Sequence, residues 1–409
     1  MKRFLICCVF IAFIQLECWS QTRTLPQQLV YTIDSLYKEG LIRKTYNLNK
    51  LRSLADSVSG NSWGDSVFFN TAAAIAWELY QGTPVSPWVG YDAVSPKKQL
   101  EERQWLEEKL REVNNAKSLL DFFAKLEPSD PFYRSLQTAY RYYHRLAIEK
   151  SSKRYRDTAS WLLQSVNMQR WISHFKLEKY VVINLAAAEL TYFENGKRVL
   201  HMRTIVGKPS TPSPRFAAWS ERVILYPYWY VPSSIAIGEF LSKIKRNPSW
   251  LDQRDMQVVD SKGRVVDPHQ LNWSQFHAGY FPYTIRQSTG CDNALGVLKF
   301  DIETPYGVYL HDTNSKSAFL SSYRFLSHGC IRLEEPLLLG NQLLENKLDT
   351  AFLQSCYMDQ KPIYKSLSSP VPVFSVYMLA TCNEPGQIQF HRDVYQLFSP
   401  KKRIVNLQF

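Results

Sequence analysis

The sequence predicts an α+β protein, in which a helical N-terminal scaffold precedes a mainly β domain that carries an inserted capping segment. Apolar residues recur every three or four positions through residues 21–160, which is typical of packed helices. Apolar and polar residues alternate after Lys179, as in strands, so we assign a second domain to residues 161–400. The alternation lapses across residues 228–290, and an interruption of this length indicates a lid or binding segment, with a subdomain of purely structural role as the alternative.

Composition excludes several classes of protein. The chain has 409 residues, of which 45% are hydrophobic and 14% aromatic, so a disordered or collagen-like chain is excluded. Its net charge of +12 favours anionic partners such as cell-wall polymers, lipid headgroups or acidic peptides. No zinc-finger or RNP signature occurs, so no nucleic-acid partner is predicted.

The N-terminus predicts export. Lys2 and Arg3 precede a short apolar run over residues 4–15, and small residues follow at Cys18 and Ser20. We interpret residues 1–20 as a signal peptide cut after Ser20, with an uncleaved anchor as the alternative. The predicted location is the periplasm or cell envelope.

The local patterns predict individual elements. Helices are expected around residues 71–80, 106–113, 132–143, 161–175 and 336–347, with 145–160 as a linker or a helix start. Strands are expected at residues 180–185, 189–193, 198–206, 222–227, 296–300, 306–310, 371–380 and 387–395. Asn195-Gly196 and residues 383–386 are expected to be hairpin turns.

Four cysteines lie beyond the predicted signal peptide, and none belongs to a C-x-x-C motif, so structural zinc is not predicted. Cys356 and Cys382 could form a disulfide, which spacing alone does not decide. We expect turn or packing roles for these two and for Cys291. Cys330 is different because reactive residues surround it.

Cys330 closes the sequence Ser327-His328-Gly329-Cys330, and His311 lies nineteen positions earlier at the end of an apolar run. A thiol needs a nearby base to become a nucleophile, and this interval allows the chain to leave a strand and return beside it. Gly329 permits a sharp turn that exposes two consecutive N–H groups, those of Gly329 and Cys330, as oxyanion donors. His328 is expected to support this loop.

Residues outside that loop are candidates for substrate contact. Arg332 could hold a carboxylate through its forked donors, with an internal loop clamp as the alternative. Trp229 and Tyr230, in the insertion, could contact glycan or peptide. Closure of the insertion over the cleft would then exclude water.

These motifs resemble those of the YkuD-type L,D-transpeptidase catalytic domain over residues 180–345, and YLHDT with LSHGCIRL is similar to its YcbB-like branch. The resemblance implies that Cys330 is the nucleophile and His311 the general base, and that Asp312 orients the imidazole through its backbone carbonyl. It further implies that Ser327, His328 and Gly329 build the oxyanion loop, and it makes Tyr309 a candidate substrate contact. One departure is that residues 144–166 are too few for the peptidoglycan-binding domain usual in that branch.

The implied reaction joins peptidoglycan stem peptides by 3→3 cross-links through a thioester, with no metal or organic cofactor. Alternatives with the same nucleophile are an L,D-carboxypeptidase or cross-link hydrolase, and attachment of an outer-membrane or wall-linked protein to the wall. A non-catalytic wall-binding protein fits the basic charge but leaves His311 and Cys330 unexplained. A metallopeptidase lacks its H-E-x-x-H motif here.

Overall fold

The computed structural model describes residues 23–38, 46–58, 63, 66–82, 96–358 and 360–398, so the predicted signal peptide lies outside the described residues. The described residues within 1–85, 91–177 and 378–393 form a first unit, and those within 178–377 and 394–398 form a second. In its described part the first unit is helical apart from one hairpin and the second is mainly β, so the predicted α+β class is confirmed. Among the described helices, none is both long and apolar enough to cross a bilayer.

The described helices of the first unit bury apolar faces against one another. Leu29, Ile33, Phe68 and Ile75 form part of one core. The helices are α1 Leu25–Lys38, α2 Leu48–Asp56, α3 Ser66–Gln81, α4 Pro96–Arg111, α5 Ala116–Leu126, α6 Pro131–Glu149 and α7 Lys153–His174.

The second unit is built on a nine-stranded sheet in the order β11-β3-β12-β10-β9-β4-β13-β1-β2, and β2 also pairs with β3, which closes the sheet on itself. Asn195 and Gly196 both have positive φ (50° and 73°), which confirms the predicted hairpin turn between β2 and β3. The strands are β1 Lys179–Asn184, β2 Glu189–Glu194, β3 Lys197–Gly207, β4 Phe216–Leu225, β9 Leu298–Ile302, β10 Leu310–His311, β11 Phe325–Ser327, β12 Ile331–Leu333 and β13 Ile363–Val376.

The insertion has its own core, which includes Phe240, Ile244, Leu251 and Trp273. The loss of alternation suggested little strand here, but the insertion contains a small four-stranded sheet in the order β5-β8-β6-β7. Its strands are too short for alternation to show: β5 Trp229–Tyr230, β6 Met256–Val259, β7 Val265–Val266 and β8 Thr284–Gln287. Its helical segments are α8 Ser233–Ile235, a π-helical turn Ala236–Phe240, α9 Leu241–Arg246 and α10 Ser249–Asp252.

The remaining elements adjust the predicted limits. The helix expected at 336–347 is α11 Pro336–Leu343, followed by α12 Thr350–Gln354, and the predicted strand 371–380 is split between β13 and a hairpin, β14 Ala380–Glu384 and β15 Gln387–Phe390. The strand predicted at 306–310 is mostly irregular: Gly307 adopts a φ of 62°, which a strand does not allow, and only Leu310 enters the sheet. The predicted limit at residue 160 falls inside the continuous helix α7, and the second unit begins at residue 178.

The hairpin β14–β15 belongs to the first unit rather than to the predicted domain 161–400. Burial explains this, because Ala380 and Cys382 pack in one core with Tyr133 and Leu162. The Cys382 thiol donates to the Glu384 carbonyl (3.0 Å).

A disulfide joins Cys291 to Cys356, with a Cα–Cα distance of 5.0 Å. The suggested Cys356–Cys382 pairing is therefore wrong. So is the expectation of mere packing roles for Cys291 and Cys356. The bond ties the end of the insertion to the segment after α12.

Candidate active site

Two short parallel strands bring the candidate residues together. In β10 and β12, Leu310 is opposite Ile331 and His311 is opposite Arg332. The Ile331 N–H donates to the Tyr309 carbonyl (3.1 Å), which continues the pairing so that Tyr309 lies beside Cys330. Because successive strand residues point to opposite faces, Tyr309, His311, Cys330 and Arg332 share one face, while Leu310 and Ile331 are buried on the other.

That face lines a cavity of about 430 Å³. The β-sheet contributes His311, Cys330 and Arg332, and the insertion contributes a wall that includes Trp229 and Glu239. The two side chains predicted to act together therefore open into the same space, under the insertion.

The orientation of His311 is set by its own backbone neighbour. His311 Nδ1 lies 2.5 Å from the Asp312 carbonyl oxygen. Since a carbonyl oxygen only accepts, Nδ1 carries the hydrogen and Nε2 keeps its lone pair. Burial, and then the positive charge of Arg332, lower the pKa of His311 to about 3, so the imidazole is neutral at physiological pH.

The Asp312 carboxylate is occupied elsewhere. One oxygen accepts from the Val297 N–H (3.0 Å) and the other from Lys316 Nζ. Gly296, with a φ of 57°, packs so closely against this side chain that a Cβ would lie 2.3 Å from its Oδ2. The side chain thus anchors the end of β10 while the carbonyl holds the imidazole, as the resemblance implies.

Cys330 is a half-buried thiol surrounded by donors. Burial raises its pKa, and the backbone N–H and hydroxyl of Tyr309, which hydrogen-bond to the sulfur, oppose that rise together with the charges of Lys299 and Arg332. The resting state is therefore a neutral thiol beside a neutral imidazole. Groups that would stabilise a thiolate are already in place.

The loop before Cys330 is held by hydroxyl groups. Gly329 has a φ of 125°, a region that favours glycine, and its carbonyl accepts from Ser213 Oγ (2.6 Å). Ser327 Oγ accepts from the Gly329 N–H (3.1 Å) and donates to the Cys330 carbonyl (2.6 Å). One of the two N–H groups predicted to bind an oxyanion thus already has a partner, and the oxyanion role remains a prediction.

His328 connects this loop to the insertion. Its Nε2 lies 2.8 Å from Glu239 Oε1, in the π-helical turn, and 3.4 Å from Lys208 Nζ. Both partners compete for the nitrogen that would otherwise reach a substrate. This geometry supports a structural role for His328.

The predicted substrate contacts differ in position. Arg332 lines the cavity, and its Nε is buried with no hydrogen-bond partner among the described residues. Trp229 also lines the cavity and hydrogen-bonds to the Tyr309 hydroxyl. Tyr230, in contrast, is 55% exposed and is not among the residues that line the cavity.

Sequence reasoning missed Lys299. It is opposite His311 in the β9–β10 pairing, and its Nζ lies 4.3 Å from the centre of the Tyr309 ring and 2.9 Å from Asp301 Oδ1. The available signal was a lysine in the middle of an apolar strand, LKFDI, where a charge is costly unless it is used.

Comparison with known proteins shows what the second unit is similar to. Residues 178–347 match the family model of the YkuD L,D-transpeptidase catalytic domain. The chain is 29% identical over 314 residues to a protein of Haemophilus influenzae named "Putative L,D-transpeptidase", covering 76% of this chain and 61% of that relative, so it spans less than two thirds of the relative's length.

Solved structures give similarities of lower identity. An L,D-transpeptidase from Mycobacterium smegmatis is 18% identical, with 48% of this chain and 58% of that chain covered and a TM-score of 0.24. L,D-transpeptidase 3 from Mycobacterium tuberculosis is 14% identical, with coverage of 48% and 60% and a TM-score of 0.23. By the family match and the curated relative, residues 178–347 of this chain are similar to the YkuD L,D-transpeptidase catalytic domain.

Proposed function

We propose that this chain forms 3→3 cross-links between peptidoglycan stem peptides through a thioester on Cys330. The observation that carries the proposal is the cavity that His311 and Cys330 share. The His311 imidazole is neutral with a free lone pair on Nε2, and the Cys330 sulfur is surrounded by hydrogen-bond donors. Such a pair suits acyl transfer by a cysteine nucleophile.

The protonation states suggest the order of events. His311 Nε2 accepts the thiol proton as the sulfur attacks the carbonyl of the third stem residue, so no separated thiolate–imidazolium pair is stored beforehand. The imidazolium then returns the proton to the amine of the departing D-alanine, which leaves a thioester. An amine of a second stem attacks that thioester, His311 accepts the amine proton, and the imidazolium passes it to the departing sulfur, which restores the thiol.

Arg332 provides a site for a substrate carboxylate. The Arg332 side chain is half-buried and makes no ion pair among the described residues. Its Nε is buried with no partner there, and burial lowers its pKa. A stem peptide carries free carboxylates, and binding one would compensate this partly desolvated charge. The insertion, through Trp229 and Glu239, would exclude water and favour an amine acceptor over hydrolysis.

The cellular setting follows from the sequence alone. We propose that residues 1–20 direct export and that the mature chain acts in the periplasm or cell envelope, as a member of the YcbB-like branch. The acceptor is a second stem peptide, and a lysine of an outer-membrane or wall-linked protein is the alternative acceptor.

The test is incubation of the chain beginning at Gln21 with a disaccharide-tetrapeptide, followed by mass analysis of protein and products. The proposal expects a Cys330 adduct equal to the donor minus alanine, together with a cross-linked dimer. Cys330→Ala should yield neither. Tripeptide without dimer would assign hydrolysis instead, and equal products from wild type and Cys330→Ala would refute a cysteine mechanism.

A further inference from the structure

The helical unit contains a second cavity, which we call the scaffold cavity. It has a volume of about 740 Å³ and lies between the end of α6, the start of α7 and strand β15. A volume of this size accommodates a small ligand of several rings. Its walls are largely aromatic, formed by Tyr142, Tyr143, Tyr155, Trp161 and Phe390.

The rings are held in place by one another. Tyr143 is at the centre, with ring centroids 5.3 Å from Tyr142, 6.2 Å from Tyr155 and 5.9 Å from Phe390. Tyr142 is nevertheless 50% exposed and Phe390 40% exposed. Rings that are already ordered, yet open to solvent, bind flat apolar surfaces with little loss of side-chain entropy.

Charged groups complete the lining. Lys153 forms an ion pair with Asp157 (2.9 Å), with side chains 70% and 40% exposed. Arg154 also lines the cavity and makes no ion pair within the described part of the chain, so one positive charge remains unopposed. The lining thus offers a carboxylate that can accept hydroxyl hydrogens and cations that can bind a carboxylate.

This combination selects a class of ligand. Sugar rings present C–H faces that stack on aromatic rings, and hydroxyl groups at their edges that bind carboxylates and cations. A purely apolar peptide would desolvate Arg154 without giving it a partner, which is costly. An acidic glycan satisfies the rings, the carboxylate and the unopposed cation together.

We propose that the scaffold cavity binds the glycan strand of peptidoglycan, an N-acetylated sugar chain whose attached stem peptides carry carboxylates. The identity of the glycan rests on the proposed function, whereas the existence of a sugar site rests on the cavity itself. The helical unit would then hold the polymer independently of the stem-peptide chemistry at Cys330.

The test measures binding to purified peptidoglycan sacculi by co-sedimentation, with Cys330→Ala in every protein so that no thioester retains it. The double variant Tyr142→Ala/Arg154→Ala should bind about tenfold more weakly, as expected when one anchor of an interface is removed. Tyr31→Ala/Arg52→Ala is the matched control, since it removes a 43% exposed tyrosine and an exposed arginine from the same unit outside the cavity. Arg154→Glu is a second variant, which serves as the test if the double variant fails to fold. It changes an exposed position and should also weaken binding to sacculi.

Three further readouts separate the outcomes. Soluble chito-oligosaccharides should compete with sacculi for binding to the parent protein. They should not change the residual binding of the double variant to sacculi. With Cys330 intact, the double variant should process soluble disaccharide-tetrapeptide at the parent rate, so failure of the proposed chemistry is measured separately from failure of glycan binding. The proposal would be overturned if both cavity variants bound sacculi as tightly as the parent protein does. It would also be overturned if light scattering showed that the variants had lost only self-association, and that this loss explained their weaker sedimentation.

Discussion

Each unit of this protein holds one histidine whose lowered pKa keeps it neutral, half-buried His174 in the helical unit and buried His311 in the β unit, and the two are built alike. His174, at the end of α7, has its Nδ1 2.6 Å from the Trp171 carbonyl, and His311 has its Nδ1 2.5 Å from the Asp312 carbonyl. Burial is the largest cause that lowers the pKa of both, to about 4 for His174 and about 3 for His311.

The difference lies at the other side of each ring. His174 packs against Tyr80 and Phe175, with ring centroids 5.4 Å and 3.9 Å away. His311 opens into the cavity that also holds Cys330. A depressed pKa and a fixed tautomer are therefore not enough to mark a catalytic base, because the group that Nε2 can reach decides the role.

The strongest test of this comparison replaces each histidine by glutamine. His311→Gln should slow acylation of Cys330 by about 10²- to 10⁴-fold, the usual contribution of a general base. His174→Gln should leave the rate within about twofold, since its ring reaches no reacting group. Acylation is measured by mass spectrometry with soluble disaccharide-tetrapeptide, under conditions where circular dichroism shows both variants folded. Equal losses in the two variants would contradict the distinction.

Two glycines extend the comparison to the backbone. Gly329 (φ 125°) precedes the nucleophile and Gly386 (φ 84°) lies in the β14–β15 turn of the helical unit, and a Cβ at either would meet no atom closer than 3.9 Å. Alanine at each should therefore cost about 1–3 kcal/mol of stability through backbone strain alone.

Only Gly329→Ala should also reduce acylation, by about 10- to 100-fold, because a small displacement of the sulfur disrupts its alignment. Thermal unfolding measures the first effect and single-turnover acylation the second. If Gly386→Ala lowered acylation equally, global destabilisation rather than local geometry would explain the loss.

The two histidines should behave alike when stability is measured against pH. An unfolded histidine has a pKa of about 6.5, so between that value and the folded pKa values of about 4 and 3 the unfolded chain binds more protons. Stability therefore falls on acidification, and each histidine should lower the free energy of unfolding by about 1.6 kcal/mol between pH 6.5 and pH 5. His174→Gln and His311→Gln should each make the unfolding free energy depend less steeply on pH. An unchanged slope would mean that the imidazoles become protonated inside the folded protein.

The sequence predicted the parts of this site that are local. Ser327 to Cys330 are contiguous, and His311 ends an apolar run, so residue type and spacing were enough to group them. The Asn195-Gly196 hairpin was equally readable, because its turn needs two residues of positive φ.

What the sequence could not supply depends on distance in space. Lys299 faces His311 only through the register of β9 and β10, and register is a property of the folded sheet. The Cys291–Cys356 disulfide joins residues 65 positions apart, and only a Cα–Cα distance of 5.0 Å distinguishes it from the pairing suggested with Cys382.

The smallest expected effect concerns the hydroxyl next to the nucleophile. Tyr309 hydrogen-bonds to Cys330 through its hydroxyl, and its ring contacts His311 at 5.6 Å. Tyr309→Phe keeps the ring and removes one donor to the developing thiolate, so the Cys330 pKa should rise further and acylation should slow about tenfold. The pH dependence of iodoacetamide alkylation, read on the peptide that contains Cys330, should shift to higher pH. Tyr80→Phe is the control, since it removes the same hydroxyl from the ring beside His174, and it should leave the pH dependence of alkylation unchanged. An equal shift in both variants would show that the hydroxyl of Tyr309 does not act on the sulfur.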